Sequence, residues 1–198
     1  MRFYSLLLAG LIFIPSLVPA DDYATSSTSE DKNATSDDTT QTEQITFDGQ
    51  KLKLAFDANS EGDTIKEYIP DGEKLQKWTK LASIREYPKL NDAHELAAAV
   101  VRAVEEKNPK ADAHLKQNDE TGQTVIDFVV WPEDKSFVEF NVFKFHKNED
   151  GGVASEQYAV REYKEPEKFI QELAPLRERL VEQMTSDGLQ TNEEDSRD

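Results

Sequence analysis

The side chains that could do acid–base or metal chemistry are few in type, although acids are numerous. The 198-residue chain has 40 Asp and Glu residues, three histidines and no cysteine. Without cysteine, thiolate nucleophiles, disulfides and sulfur-ligated metals are excluded. The sequence also has no glycine-rich phosphate loop and no Gly-x-Ser-x-Gly nucleophile turn. Carboxylate chemistry is therefore the one enzymatic class that the composition leaves open.

The histidines do not form a metal-binding motif. His94 and Glu95 begin like a zinc-protease helix, but the second histidine of that motif falls on Ala98. His114 and His146 lie on different predicted strands, and no spacing rule brings them together. We therefore predict no metal site and no cofactor.

One acidic segment of the chain resembles the start of a calcium-binding loop. Residues 57–62 place oxygen-bearing side chains at loop positions one, three and five, and glycine at position six. Position eight is Thr64, and position twelve is Tyr68, where a bidentate acid is required. We predict a polar turn between two strands here.

Two strands dominate the candidate site. The alternation of apolar residues predicts strands at 124–131 and 137–145, joined by a five-residue loop at 132–136. This register places three aliphatic or aromatic pairs on one face: Ile126 with Val142, Phe128 with Phe140, and Val130 with Val138.

The other face of this strand pair mixes aromatic and polar side chains. Trp131 would pair with Phe137, Val129 with Glu139, and Asp127 with Asn141. A solvated face seldom carries so many aromatic residues, and a buried face seldom carries the acids. Two interpretations stay open: a groove for a small ligand, a peptide strand or a protein partner, and a surface that residues 45–87 cover. The candidate binding residues are Trp131, Phe137, Asp127, Glu139 and Asn141.

Two helices must position these strands. Asp92 with Glu95 three residues on forms a capping box, and apolar residues at helical spacing predict a helix at 92–107. A second helix begins near Pro166, with an apolar stripe from Phe169 to Met184. Pro175 lies inside that stripe, so it should kink or split the helix.

The remaining elements complete an α+β fold. We predict a strand at 111–118, a hairpin at Asp48-Gly49, a strand at 64–69, and a strand at 78–87 after a short turn. A further turn at 148–152 should pair Tyr158 with Val142. The predicted architecture is an antiparallel sheet, formed by an N-terminal hairpin plus a four-stranded meander, with two helices packed on one face.

This order of elements resembles the PsbP-like fold, in which an N-terminal hairpin and a central antiparallel sheet are flanked by helices. The segment from Glu67 to Thr79 (EYIPDGEKLQKWT) is also similar to a pattern in small exported bacterial proteins. The PsbP-like resemblance implies an accessory or binding role without enzymatic activity.

The two ends of the chain differ from its centre. Arg2, an apolar stretch and Val18-Pro19-Ala20 predict a signal peptide over 1–20, cleaved after Ala20, and a secreted or periplasmic location. Residues 21–44 hold ten Ser/Thr and seven Asp/Glu and are predicted to be a disordered spacer. Residues 185–198 are predicted to be a disordered acidic tail, which leaves 45–184 as a single domain.

The charge constrains the partners. The formal net charge is -17, yet residues 45–184 hold 28 acids and 20 bases, so much of the excess lies in the ends. Nucleic acid and anionic membranes require clustered Lys and Arg, so neither is expected as a partner once the signal is removed. We expect a monomer that binds another protein or a small ligand.

Three functions remain open from the sequence. The first is a non-enzymatic binding or accessory protein that uses the aromatic and acidic face. The second is a hydrolase with Asp127 and Glu139 as acid and base, assisted by His146. The third is a carrier of an apolar ligand held between the sheet and the second helix. Between enzyme and binding module, we expect the binding module.

Overall fold

The computed structural model describes residues 43–191, which form one nine-stranded antiparallel sheet with three helices. In chain order the elements are β1 (Gln44–Phe47), β2 (Gln50–Ser60), β3 (Asp63–Ile69), β4 (Lys80–Tyr87), α1 (Ala93–Lys107), β5 (Asp112–Gln117), β6 (Thr124–Val130), β7 (Val138–Lys147), β8 (Val153–Glu162), α2 (Pro166–Gln171), α3 (Leu173–Ser186) and β9 (Gln190–Thr191). The strand order is β5-β6-β7-β8-β4-β3-β2-β1-β9.

The predicted fold class is wrong. The predicted meander is continuous with the N-terminal strands, because β4 pairs with β8 along its whole length, from Lys80 opposite Val160 to Tyr87 opposite Val153. The result is a curled half-barrel in which strand dominates and helix makes up about 23% of the described residues. The helices also lie on opposite faces, with α1 on one side and α2–α3 on the other.

The short turns fold as their residues require. Asp48 and Gly49 both have positive φ, at 51° and 67°, and Glu61 and Gly62 do so at 53° and 99°. Positive φ at both central residues is the geometry that matches the twist of a two-residue hairpin. The calcium-like segment 57–62 therefore forms the end of β2 and the turn into β3. This is the polar turn between two strands that the sequence predicts.

The β6–β7 connection explains why the predicted register is wrong. Strand β6 ends at Val130 and β7 begins at Val138, so the loop has seven residues, 131–137, and not five, and Val130 pairs with Glu139. The two added residues are Trp131 and Phe137, and within the loop Lys135 has a φ of 53°, a left-handed conformation with no glycine to signal it. Because the register moves by one residue, Ile126 lies opposite Phe143, and the face of β7 relative to β6 is reversed.

The β7–β8 register was predicted correctly, with Val142 opposite Tyr158 and Phe140 opposite Val160. Its turn ends at Gly152, where an added Cβ would lie 2.9 Å from the Cα of Pro88. Only glycine fits that close approach, so this turn is tied to the end of β4 as well as to its own hairpin.

Both predicted helices form. The Asp92 side chain accepts a hydrogen bond from the Glu95 amide at the start of α1. The second helix is split into α2 and α3 at Glu172, and Pro175 lies in the first turn of α3, where its missing amide hydrogen breaks no helical bond.

Two separate cores lie against the helices, one under α1 and one under α2–α3. The core under α2–α3 includes Phe47, Phe140, Tyr158, Leu180 and Met184. The core under α1 includes Val100, Val104, Ile126, Phe128 and Phe143. Charged side chains are buried on both faces of the sheet, among them Asp127, Glu139 and Arg161.

The domain boundaries differ from those predicted. Gln44 belongs to β1, and the carboxylate of Glu43 lies 2.7 Å from the Lys66 ammonium, so both residues of the predicted spacer belong to the fold. At the other end α3 extends through Ser186, and Gln190–Thr191 pair with β1, so the predicted tail begins too early. The predicted signal peptide, residues 21–42 and residues 192–198 lie outside the described residues.

Candidate functional site

The five predicted site residues do not form one surface. Asp127 and Trp131 lie on the face of the sheet that α3 covers, whereas Glu139 and Asn141 lie on the α1 face. Phe137 lies in the β6–β7 loop, where its ring packs 5.7 Å from that of Tyr163. The one-residue register difference separates the two acids, so the sheet lies between Asp127 and Glu139.

Glu139 and Asn141 belong to a closed polar network. The Arg161 guanidinium lies 2.5 Å from the Glu139 carboxylate, and Asn141 donates to Glu139 at 2.8 Å. Gln157 in turn donates to the Asn141 side-chain oxygen at 2.8 Å. All four side chains are buried, which leaves a ligand no access.

Aromatic rings seal this network. The Arg161 guanidinium lies 3.8 Å from the centre of the Trp78 ring and 4.3 Å from that of Phe137. A desolvated cation between two ring faces is strongly stabilised. The Glu139–Arg161 pair is therefore part of the structural core, and Phe137 supports it.

A large groove lies on the opposite face, between α2–α3 and the two strands β5 and β6 at one end of the sheet. Its volume is about 1420 Å³. The floor is β6 and β5, and the wall is α3 with the end of α2. The residues that line it include Asp112, His114, Lys116, Val125, Asp127, Val129, Trp131, Ile170, Leu173, Ala174, Arg177, Glu178, Val181 and Glu182.

The floor of the groove repeats with the period of a strand. Val125, Asp127, Val129 and Trp131 alternate along β6 and its end, so all four face the groove. The six residue steps from Val125 to Trp131 cover about 20 Å. The β6 part of the floor is thus apolar at both ends, with the Trp131 ring at one of them, and it carries the Asp127 carboxylate in the middle.

The centre of the groove is a four-residue charged cluster. The Arg177 Nε lies 2.6 Å from the Asp127 carboxylate, and an Arg177 terminal nitrogen lies 3.5 Å from Asp112. His114 lies between the two acids, with Nδ1 3.8 Å from Asp127 and Nε2 3.7 Å from Asp112. We refer to Asp112, His114, Asp127 and Arg177 as the groove cluster.

Asp127 is the buried member of the groove cluster. Its burial raises the pKa of the carboxyl above the ordinary value, while the Arg177 guanidinium acts in the opposite direction. Arg177 keeps 26% of its side chain exposed, and His114 keeps 50%. The cluster therefore combines a desolvated acid with two donors that a ligand can reach.

Sequence reasoning missed most of this site. The sequence pattern marks His114 only as an imidazole for a general base or a metal site, and it predicts no role for Asp112 or Arg177. Arg177 lies one helical turn after Leu173, beside the apolar stripe of α3, so its position was available as a signal. Its importance depends on the register of β6, which places Asp127 under α3.

The other candidates resolve simply. His114 and His146 have different partners, since His146 Nδ1 lies 3.8 Å from Glu156. Within residues 43–191 no group of three His, Asp or Glu side chains could hold a metal ion. None of the helices in the same range has the length and apolar character of a bilayer span.

The described residues form a curled antiparallel sheet with a helix-walled groove. Residues 40–187 match the model of an uncharacterised protein family, and the chain belongs to that family. Neither the curated proteins nor the solved structures contain a match to the chain. None of these comparisons shows the predicted resemblance to PsbP-like proteins.

Proposed function

We propose that this protein is an exported, non-enzymatic binding protein that holds an amphipathic small molecule in the groove between α3 and β5–β6. The observation that carries the proposal is the groove itself, whose volume of about 1420 Å³ exceeds that of an ordinary ligand pocket. Export is supported by the apolar stretch and small residues before Asp21.

The groove is suited to a ligand with a polar group between two apolar parts. Trp131, Ile170 and Leu173 offer apolar contacts at one end, and Val125 and Val181 offer them further along. The groove cluster lies between, and a continuous alkyl chain would desolvate its charges without compensating hydrogen bonds. This argues against the purely apolar ligand that the carrier hypothesis assumed.

The geometry does not favour the hydrolase hypothesis. Asp127 and Glu139 lie on opposite faces of the sheet, and Glu139 is held by Arg161. An acid and a base must both reach the same bond, so this pair cannot act together. The groove cluster has acids and an imidazole, but each acid is already paired with Arg177.

A fluorescent amphiphile tests the proposal. We expect 8-anilinonaphthalene-1-sulfonate to bind the folded protein, and Ala174→Phe, which fills the groove from α3, to weaken its affinity about tenfold, equivalent to about 1.4 kcal/mol. Ala55→Phe is the matched control, because Ala55 is also exposed but lies on β2, outside the groove. Equal affinity in the two variants would contradict the proposal. Native mass spectrometry of the exported protein would then show whether a natural small molecule is retained.

A further inference from the structure

One edge of the sheet is formed by a strand whose sequence is complementary to itself. β5 is the last strand in the sheet order and pairs only with β6 among the described strands. Five of its six residues are exposed. An uncovered strand edge presents unpaired amides and carbonyls that another strand can use.

One hydrogen bond shows which backbone groups of β5 point outward. The Asn118 amide donates to the Gln123 carbonyl at 2.8 Å, and these two residues continue the β5–β6 register. Bonded and non-bonded pairs alternate along an antiparallel ladder. Even-numbered residues of β5 therefore bond to β6, and Ala113, Leu115 and Gln117 direct their N–H and C=O groups to the open edge.

We propose that two copies of this protein pair antiparallel through β5, about a two-fold axis at His114. Asp112 of each copy then lies directly opposite Lys116 of the other, and Ala113 lies opposite Leu115. The outward backbone groups of Ala113 and Leu115 form the hydrogen-bonded pairs, as antiparallel geometry requires. The contact is isologous, because each copy contributes the same patch.

Charge selects this register from its neighbours. Opposite charges directly across a strand pair are favourable, and like charges are unfavourable. With the axis at His114, both Asp112–Lys116 pairs are opposite in sign. With the axis at Leu115, His114 of one copy would lie opposite Lys116 of the other. With the axis at Ala113, Lys116 of one copy would lie opposite Lys110 of the other. The pairing also covers Leu115, which is 37% exposed in the single chain.

The pairing bears on the groove as well. Asp112, His114 and Lys116 line the groove from its open side, so the grooves of the two copies would meet across the axis. A ligand could then contact both copies. The dimer itself rests on the strand edge and not on the proposed function, and it departs from the monomer expected from the sequence.

Sedimentation equilibrium of the mature chain from Asp21 tests the pairing. We expect a dimer at about 100 µM, a concentration at which a weak but specific contact is populated. Leu115→Pro should give a folded monomer, because the Leu115 amide points outward and proline is tolerated at such edge positions. Its fold is checked by circular dichroism and melting temperature.

A charge exchange provides the second test. In Asp112→Lys alone, the introduced lysine lies opposite Lys116 of the other copy. In Lys116→Glu alone, the introduced acid lies opposite Asp112 of the other copy. Each variant should therefore be monomeric. An equimolar mixture should form a heterodimer, in which both cross-axis pairs are again opposite in sign. A monomeric wild-type protein at about 100 µM, or a dimer that persists in Lys116→Glu, would overturn the proposal.

Discussion

Two arginine–carboxylate pairs lie on opposite faces of the same sheet and differ in what can reach them. Arg161 and Glu139 are both buried, and their guanidinium is enclosed by Trp78 and Phe137. Arg177 also binds a buried acid, Asp127, but it does so at the base of an open groove with a quarter of its side chain exposed.

The comparison shows that a buried charge is not by itself a mark of function. The Arg161 pair is stabilised by hydrogen bonds and ring contacts from its own chain, so nothing is left for a ligand to satisfy. The Arg177 pair lies beside apolar surface and a half-buried tryptophan. Access and neighbouring surface distinguish a candidate site from a structural pair.

The largest effect should follow from breaking the closed pair. Arg161→Ala should lower the free energy of unfolding by roughly 3–5 kcal/mol, because it leaves Glu139 charged and buried. Urea denaturation measures this loss. Arg102→Ala is the matched control, since Arg102 pairs with Glu95 on the surface of α1, and its loss should stay below about 1 kcal/mol. Equal losses in the two variants would show that the pair is not sealed.

Breaking the groove pair should cost less stability. Arg177→Ala should lower the free energy of unfolding by roughly 1–3 kcal/mol, because Asp127 loses its nearest cation but can still be reached by water. The same denaturation experiment places this variant between Arg161→Ala and Arg102→Ala. A loss as large as that of Arg161→Ala would mean that the groove is closed in solution.

The aromatic end of the groove should matter more for binding than for folding. Trp131→Ala should lower the unfolding free energy by about 1–2 kcal/mol, less than the 3–5 kcal/mol typical of a fully buried aromatic residue. Binding of 8-anilinonaphthalene-1-sulfonate should weaken clearly in the same variant. If stability falls by the full amount for a core tryptophan, Trp131 belongs to the core and the groove is smaller than described.

The smallest effect concerns pH. Burial raises the pKa of Asp127 in the folded protein, so the folded state holds this proton more tightly than the unfolded state. Ionisation therefore opposes folding, and the contribution of Asp127 to stability falls as pH rises through its unfolded and then its folded pKa. Relative to Asp127→Asn, the wild-type protein should gain stability as the pH is lowered from neutral towards 3.8, the ordinary value. Melting curves across this range would show the opposite slope if Arg177 outweighed burial.

Elements with local signals were predictable from the sequence. The capping residues of α1, the Asp48-Gly49 turn and the β7–β8 register each depend on residues close together in the chain. The split of the second helix also followed from a proline, although the break falls at Glu172, before Pro175.

The faces of the sheet were not predictable in the same way. The β6–β7 loop is longer than predicted because Trp131 and Phe137 belong to it, and Lys135 adopts a left-handed conformation without a glycine. A one-residue change of register exchanges the two faces of a strand. Of the predicted binding residues, Asp127 and Trp131 therefore line the observed groove, whereas Glu139 and Asn141 do not. Arg177 could be identified only from the position of α3 over β6.

The pairing of β4 with β8 could not be predicted from the sequence, for a different reason. These strands are separated by more than sixty residues, and no turn fixes their register. Their pairing converts a hairpin and a meander into one curled sheet, which is the main difference between the predicted and the observed fold.

Fluorescence quenching of the two tryptophans tests the central claim most directly. In Trp78→Phe the emission comes from Trp131 in the groove, and in Trp131→Phe it comes from Trp78, which is 1% exposed against Arg161. We expect acrylamide to quench Trp131 severalfold more strongly than Trp78, and 8-anilinonaphthalene-1-sulfonate to protect Trp131 alone. Equal and weak quenching of both tryptophans would contradict an open groove on the α3 face.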